Sequence, residues 1–466
     1  MSSIQTIQVH TAPAYEVSIG GGLLPACGQY LRKVLAPCRA AVITDSTVAP
    51  LYLKTVTDSL TSAGFAVCFH IFPAGEGSKN FTTLAAILEF LAEQHLTRTD
   101  CVVALGGGVT GDMAGFAAAC YLRGVRCVQL PTTLLSAVDS SVGGKTAIDL
   151  AAGKNLAGAF LQPTAVLCDT DCLRSLPNQV FADGAAEAIK TGVLDDESLF
   201  ALFEDGTLTA APEEVISRCV RYKAGVVKRD EKEQGERKLL NLGHTVGHAI
   251  EKCSGYTIPH GHAVAAGLAI IARSAEALGW TEEPIADRIA ACLVKNGLPT
   301  GTSYTAEALA QAALADKKRA GDTITLVIPK KIGACELKKV PVTELLPIIR
   351  AGLEGGHGHS HHTPYAERCR DAPRQQVHGP SGRAGPGSGG RAGDPFQPQR
   401  LPGHPGHQTV RSSLEGSPPQ RRTSLPGLRR VRLHPPLPHS HRPGGSGRRC
   451  VHRPGAAHGA APGPIL

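Results

Sequence analysis

Cys101-Val-Val-Ala-Leu-Gly106-Gly-Gly108-Val-Thr-Gly111-Asp-Met-Ala-Gly115 reads as a buried strand, a glycine turn and the first turns of a helix. Gly106, Gly108 and Gly111 match G-x-G-x-x-G, a spacing that lets backbone amides approach a pyrophosphate at the positive end of a helix. Outward from it, β-rich runs at residues 40–44, 66–72, 126–130 and 165–168 alternate with helical patterns such as residues 81–94. This alternation predicts an α/β layer with a largely parallel sheet whose ligand crevice lies beyond the strand carboxyl ends. The acidic residue expected about 20 positions past a dinucleotide fingerprint is missing. Asp45, after the run ending at Thr44, is the candidate for ribose or adenine hydroxyls, and Gly75-Glu76-Gly77-Ser78-Lys79 offers a second polar loop.

After Pro177 the pattern turns helical. Residues 182–191, 212–228, 240–253, 263–278 and 282–296 have helical length and spacing, separated by Gly or Pro, and residues 323–329 read as one late strand. The expected organisation is an α/β domain over residues 1–177, an α-helical domain over 178–355 and a tail over 356–466. The longest nearly apolar run, Ala263 to Ala272, is too short for a membrane helix, and Met1 to His10 lacks a basic and then greasy leader. Fourteen cysteines without a Cys-x-x-Cys pair suit buried thiols in a reducing compartment, so a soluble, cytoplasmic chain is expected.

The tail holds 16 Arg, no Lys and four acidic residues, a balance of +12; against +8 for the whole chain, residues 1–355 carry −4. With 18 of the 33 Pro and 12 of the 19 His, the tail reads as a disordered appendage or an out-of-frame translation of GC-rich DNA. Its arginine pairs are the only feature that favours nucleic-acid binding.

Two glycine-framed segments carry basic groups: Asp139-Ser-Ser-Val-Gly-Gly-Lys145-Thr and Gly153-Lys154-Asn155. The first ends like a P-loop, but Asp139 stands where that loop requires its first glycine, which excludes a nucleotide triphosphatase. Lysines in such loops suit an anionic substrate. Glu187 and Lys190 share one face of an alanine-rich helix. In Asn241-Leu-Gly-His244-Thr-Val-Gly-His248-Ala-Ile-Glu251 two histidines four apart project from one side of a helix, and His260 follows just beyond it. Such a set, with one carboxylate, closes a metal site. Spacing leaves open whether His248 is a ligand or an unligated acid/base.

Taken together, these motifs resemble the 3-dehydroquinate synthase family of sugar phosphate cyclases over nearly all of residues 1–355. Gly106 to Asp112, Arg123-Gly-Val, Pro131-Thr-Thr-Leu-Leu, Asp139 to Thr146, Lys154-Asn155, Glu187-Ala-Ile-Lys190 and Asn241 to Glu251 occur in the family's order. The resemblance implies a Rossmann-like NAD domain, a helical metal domain, an active site between them and a homodimer. It assigns a divalent metal, zinc or cobalt, to Glu187, His244 and His260, which leaves His248 for proton transfer, with Lys145, Lys190 and Glu233 also in the chemistry. It places Asp45, Glu76, Lys79, Gly107, Gly108, Val109, Asp112, Thr132, Thr133, Lys145 and Lys154 around NAD. Around the substrate it places Arg123, Asp139, Lys145, Asn155, Lys190, Lys223, Arg237, Asn241 and Lys317, with Arg123 supplied across the dimer. One departure stands out: the family commonly reads His-Gly-Glu where this chain has His260-Gly-His262.

The implied substrate, 3-deoxy-D-arabino-heptulosonate 7-phosphate, carries a carboxylate and a phosphate, so cations must be gathered locally in a mildly acidic body. The implied reaction is transient oxidation by NAD, phosphate elimination, reduction, ring opening and aldol closure. A cyclase of a non-carboxylated sugar phosphate, such as 2-deoxy-scyllo-inosose synthase, is the nearest rival. A polyol or glycerol phosphate dehydrogenase is the next.

Overall fold

A computed structural model describes residues 4–205, 212–315 and 321–355. Lys317 and the whole 356–466 tail lie outside the described residues.

Eleven strands and twelve α-helices are described. The first half contains β1 (Gln5–Val9), β2 (Tyr15–Gly20), α1 (Cys27–Val34), β3 (Arg39–Asp45), α2 (Lys54–Ser62), β4 (Ala66–Phe72), α3 (Phe81–Glu93), β5 (Cys101–Gly106), α4 (Gly108–Cys120), β6 (Arg126–Pro131), β7 (Lys145–Leu150), β8 (Gly153–Phe160) and β9 (Ala165–Asp169). Then come α5 (Asn178–Asp195), α6 (Glu197–Asp205), α7 (Pro212–Arg229), α8 (His244–Cys253), α9 (His260–Ala277), α10 (Ala286–Lys295), α11 (Ala306–Ala315), β10 (Thr323–Lys331), β11 (Ala334–Pro341) and α12 (Leu345–Glu354).

Seven strands form one sheet in the order β1-β2-β9-β6-β5-β3-β4. All its pairings are parallel except the β1/β2 hairpin. β5 is buried at every position, which is why its sequence is a continuous apolar run instead of an alternating one. One face packs through Leu31, Val56, Leu60 and Val103 against α1 and α2. The other packs through Ile87, Leu91, Val102 and Met113 against α3 and α4. The chain leaves β3 toward one sheet edge and β5 toward the other, so the strand order reverses between them, and ligands of open α/β sheets bind at such a reversal.

In the helical half, α9 is buried on nearly all sides, contacting α5, α8, α10 and α12, which accounts for its nearly apolar run from Ala263 to Ala272. No described helix is long and apolar enough to cross a membrane. The segment expected as a helix from 240 begins at His244, after a short 3-10 turn at Glu236–Asn241. Gly243, at φ 76°, sets the break.

The two lysine-bearing segments expected to be loops are corrected by the structure: β7 starts at Lys145, and β8 contains Lys154 and Asn155. Thr146, Ile148 and Ala157 cover α4 and the adjacent core while alternate residues face outward, a period-2 pattern masked in the sequence by small residues.

Candidate active site

The glycine turn forms because Gly106 ends β5 with no room for a side chain: a Cβ there lies 2.4 Å from Thr110 Oγ1. Thr110 Oγ1 donates to Asp45 Oδ2 at 3.0 Å, while Asp45 Oδ1 accepts the amides of Thr47 and Val48 at 2.9 and 3.0 Å. Asp45 therefore joins the loop after β3 to the start of α4. Gly107 and Gly108 open α4, followed by Val109. Across the turn the Thr132 amide donates to Gly106 O at 2.9 Å, yet Thr132 Oγ1 is buried with no hydrogen-bond partner. Free first-turn amides and an orphaned hydroxyl at a strand-order reversal fit a dinucleotide. Thr133 is held by Ser136.

Lys79 Nζ donates to Asp112 Oδ2 and Asn155 Oδ1, each at 2.6 Å. Burial lowers the Lys79 ammonium's pKa, but Asp112 and Glu76 outweigh it and raise the net value. Asn155 takes φ 55°, an uncommon conformation outside glycine, fixed by its amide's bond to Asp149 Oδ1 at 2.8 Å. The β7/β8 hairpin thus reaches the polar loop after β4. It also reaches the helical half: Lys145 Nζ meets Glu233 Oε2 at 2.5 Å, and Lys154 Nζ meets Glu76 Oε1 and Glu251 Oε1, both at 2.9 Å.

Glu187, on α5, is 1% exposed. Its carboxylate lies against His244 Nε2 at 3.7 Å, His260 Nε2 at 3.4 Å and the Lys190 ammonium, yet neither oxygen has a hydrogen bond of acceptable geometry. Donor atoms of Glu187, His244 and His260 all lie within 4.8 Å of one another. A buried carboxylate that faces two imidazole nitrogens and has no well-formed hydrogen bond on either oxygen fits a cation site. The two histidines are the first residues of α8 and α9. His244 Nδ1 pairs with Leu242 O at 3.0 Å, leaving Nε2 toward Glu187. Burial holds the His244 pKa well below the usual imidazole range, the neutral state a ligand needs. Burial also pulls His260 down, but Glu187 and Glu251 on its two ring nitrogens prevail and push it up to about 10. His248 is exposed, its ring 5.2 Å from that of His244 and 5.8 Å from that of His260. A second donor group, His248, Glu251 and His260, has the same spread.

The close approach of α9 to α5 is set by Gly261, where a Cβ would stand 1.9 Å from Asp183 O. His262 is tied to α5: its Nδ1 and backbone N both lie 3.0 Å from Asp183 Oδ1. The departure from the His-Gly-Glu pattern is thus met by an acidic partner on α5, and His262 is in neither donor group.

Basic groups surround this cluster. Lys190 Nζ donates to Leu240 O at 2.8 Å. Lys223 Nζ donates to Asp139 O at 2.6 Å and to Asp139 Oδ1 at 2.7 Å, and burial lowers its pKa. Arg237 is fully buried, donating to Gly143 O at 2.9 Å and to Glu231 O. Asn241 Nδ2 donates to Glu233 Oε1 at 3.0 Å, and Glu233 adopts φ 59°. Left-handed backbone at a non-glycine residue is costly and concentrates at functional sites. Arg123 is not brought here. It is exposed, at φ 67°, in the connection from the C-terminal end of α4 into the start of β6, at the end of the strands opposite the glycine turn. Sequence reasoning gave Glu251 no role beyond its motif; its contacts with Lys154 and His260 appear only in three dimensions.

The parallel-sheet layer followed by a helical layer is a fold that this chain shares with solved cyclases and with a reductase. The structure of 2-deoxy-scyllo-inosose synthase complexed with carbaglucose-6-phosphate, NAD+ and Co2+ matches at 26% identity and TM-score 0.65, covering 75% of this chain and all of that one. The 2-epi-5-epi-valiolone synthase of Streptomyces hygroscopicus, with NAD+ and Zn2+ bound, matches at 25% identity and TM-score 0.67, covering 76% and 99%. Sulfoacetaldehyde reductase of Bifidobacterium kashiwanohense, at 17% identity and TM-score 0.52 over 76% of this chain and 99% of that one, shares the fold.

Residues 69–183 match the family described as 3-dehydroquinate synthase N-terminal, and residues 184–319 the family described as 3-dehydroquinate synthase C-terminal. The 3-dehydroquinate synthase of Neisseria meningitidis serogroup A is 46% identical over 352 residues, 74% of this chain and 98% of that protein. That of Pelobacter propionicus is 44% identical over 349 residues, 73% of this chain and 97% of that protein. The chain belongs to the 3-dehydroquinate synthase family.

Proposed function

We propose that this chain converts 3-deoxy-D-arabino-heptulosonate 7-phosphate to 3-dehydroquinate and phosphate, as a phosphate-eliminating lyase that depends on NAD and a divalent metal. The observation that carries the reading is the buried Glu187 carboxylate, which faces His244 and His260 and, though ion-paired to Lys190, has no hydrogen bond of acceptable geometry on either oxygen. When bound, NAD supplies a reversible hydride acceptor, and zinc or cobalt held by Glu187, His244 and His260 supplies a Lewis acid for the substrate hydroxyls.

The chain's own residues hold charge and move protons. Lys190, Lys223, Arg237 and Lys145 offer positive charge to the carboxylate and phosphate, with Asn155 and Asn241 as amide partners and Lys317 as a further cation. Asp139 fixes Lys223, and Glu233 fixes Lys145 and Asn241. His248, exposed at the rim of the cluster, exchanges protons with solvent and substrate. Asp45, Glu76, Lys79, Gly107, Gly108, Val109, Asp112, Thr132, Thr133, Lys145 and Lys154 form the nucleotide side. Arg123, remote from its own site, acts on the partner's phosphate in a homodimer. Residues 1–177 and 178–355 act as the nucleotide and metal domains, and the tail is dispensable for cyclisation. Every described cysteine is free, which supports a cytoplasmic setting.

The test is phosphate release with added NAD+ and cobalt, on this substrate and on glucose 6-phosphate. Turnover of the heptulosonate with no net NADH is expected. Activity on glucose 6-phosphate alone overturns the substrate assignment, and accumulating NADH indicates a dehydrogenase.

A further inference from the structure

Among the buried charged groups, Glu251 is left without a task by the proposed reaction. It lies on α8, one turn beyond His248, and is 0% exposed. Both its oxygens are occupied: Oε1 accepts from Lys154 Nζ at 2.9 Å, and Oε2 lies 3.3 Å from His260 Nδ1. Lys154 in turn meets Glu76 Oε1 at 2.9 Å and lies 5.4 Å from the centre of the Tyr256 ring. The opposite nitrogen of His260, Nε2, faces Glu187. Four residues thus form an unbroken line from the polar loop after β4, through the β7/β8 hairpin, to the histidine cluster.

We infer that Glu251 is a positioning residue for His260, and that Lys154 bridges it to Glu76, so that occupancy of the nucleotide loop and affinity for the metal are coupled through this line of contacts. The inference rests on the proposed metal and nucleotide sites. A histidine whose Nδ1–H donates to a carboxylate presents the Nε2 lone pair in a fixed direction, and removing such an outer partner typically weakens metal binding by about 10–100-fold. Lys154 is shared by Glu76 and Glu251. A nucleotide that draws on Glu76 therefore changes how firmly Lys154 holds Glu251, and hence His260. Such coupling is reciprocal and typically about 5–150-fold between sites.

The test uses the full chain and cobalt as the probe, with affinity read by chelator competition and ligand geometry by the cobalt absorption bands, each with and without NAD+. Glu251→Gln should keep one cobalt per chain, bind it about 10–100-fold more weakly and shift the bands, with Glu251→Asp recovering part of the loss. NAD+ should change cobalt affinity severalfold in the wild type, and that factor should fall to near one in Lys154→Met. Lys154→Met tests the line independently if Glu251→Gln does not fold. Wild-type protein that takes up no cobalt overturns the functional reading and this inference with it. Normal wild-type uptake with unchanged affinity and bands in Glu251→Gln overturns the inference alone, as does an NAD+ effect that survives in Lys154→Met. Loss of the cobalt altogether in Glu251→Gln makes Glu251 a ligand and overturns its positioning role.

Discussion

Lys190→Met separates the charge of Lys190 from its packing. The thioether stem fills the space of the lysine stem, while the ammonium against Glu187 Oε2 and its bond to Leu240 O are deleted. Glu187 and Lys190 are 1% and 2% exposed, so the carboxylate left behind cannot recover its loss from water. Breaking a buried pair in this way costs about 3–5 kcal/mol, and the neighbouring imidazoles keep the value near the lower end, about 3 kcal/mol. With a divalent ion on Glu187, His244 and His260 the carboxylate retains its counter-charge, and the cost falls to about 1 kcal/mol, that of one hydrogen bond to Leu240 O. The difference of about 2 kcal/mol must reappear as tighter metal binding, about 30-fold, because whatever binds only the folded state stabilises it by linkage. Urea unfolding with and without cobalt measures the first quantity, and chelator competition the second. Phosphate release should collapse although the ion is held more firmly. Equal destabilisation of the metal-free and metal-loaded proteins, or a weaker metal affinity in the variant, would refute the reasoning.

His262→Glu should place a second carboxylate beside Asp183 and destabilise the protein by about 1–3 kcal/mol; Asp183→Asn should relieve most of that cost, which a double-mutant cycle by urea denaturation will read. Gly261→Ala drives a methyl into Asp183 O and should cost about 1–3 kcal/mol or more, read as a lowered unfolding midpoint together with weaker cobalt uptake as α9 is pushed off α5. Asp100 accepts the Arg39 amide at 2.8 Å and the Thr97 amide at 2.6 Å, and although burial raises its pKa, these bonds hold it below the usual carboxylate range. Its contribution is therefore present above that range and lost as pH falls through the depressed value. Asp100→Ala should cost about 1–3 kcal/mol at neutral pH, with the gap from wild type closing on acidification. If the chain works as a dimer, mixing an Arg123→Ala subunit with a Glu187→Gln subunit should restore phosphate release that neither variant shows alone; no recovery in confirmed mixed assemblies removes Arg123 from the partner's site.

The central parallel strands were legible in the sequence because burial on both faces writes itself as near-continuous apolar runs: residues 40–44, 101–105 and 165–168 fall within β3, β5 and β9, each buried throughout, whereas residues 66–72 form the edge strand β4, half exposed and marked only by its β-branched and aromatic residues. The same holds for the spacing of His244 and His248, since a helix enforces one face for residues four apart, and the two rings do stand 5.2 Å apart. The β7/β8 hairpin was not legible. Its glycines and alanines erase the contrast on which a period-2 reading depends, so the register that sets Thr146 opposite Ala159 leaves no mark in the sequence.

That hairpin is where most of the unreadable chemistry resides. Lys145, Lys154 and Asn155 each reach a residue between 76 and 97 positions away, and no local pattern encodes a partner at that range. Flanking glycines indicated that the lysines were unusual, but not which carboxylates they meet. His262 makes the same point from the other side: read alone it looked like a polarity change beside the metal, yet its position one residue past Gly261 points it at Asp183 on α5. Its meaning depends on the approach of two helices, which the sequence marks only by the absence of a side chain at Gly261. A substitution at His262 is therefore best judged against residue 183, and the coupling measured between the two positions tests whether that contact, rather than the metal cluster, sets the identity of residue 262.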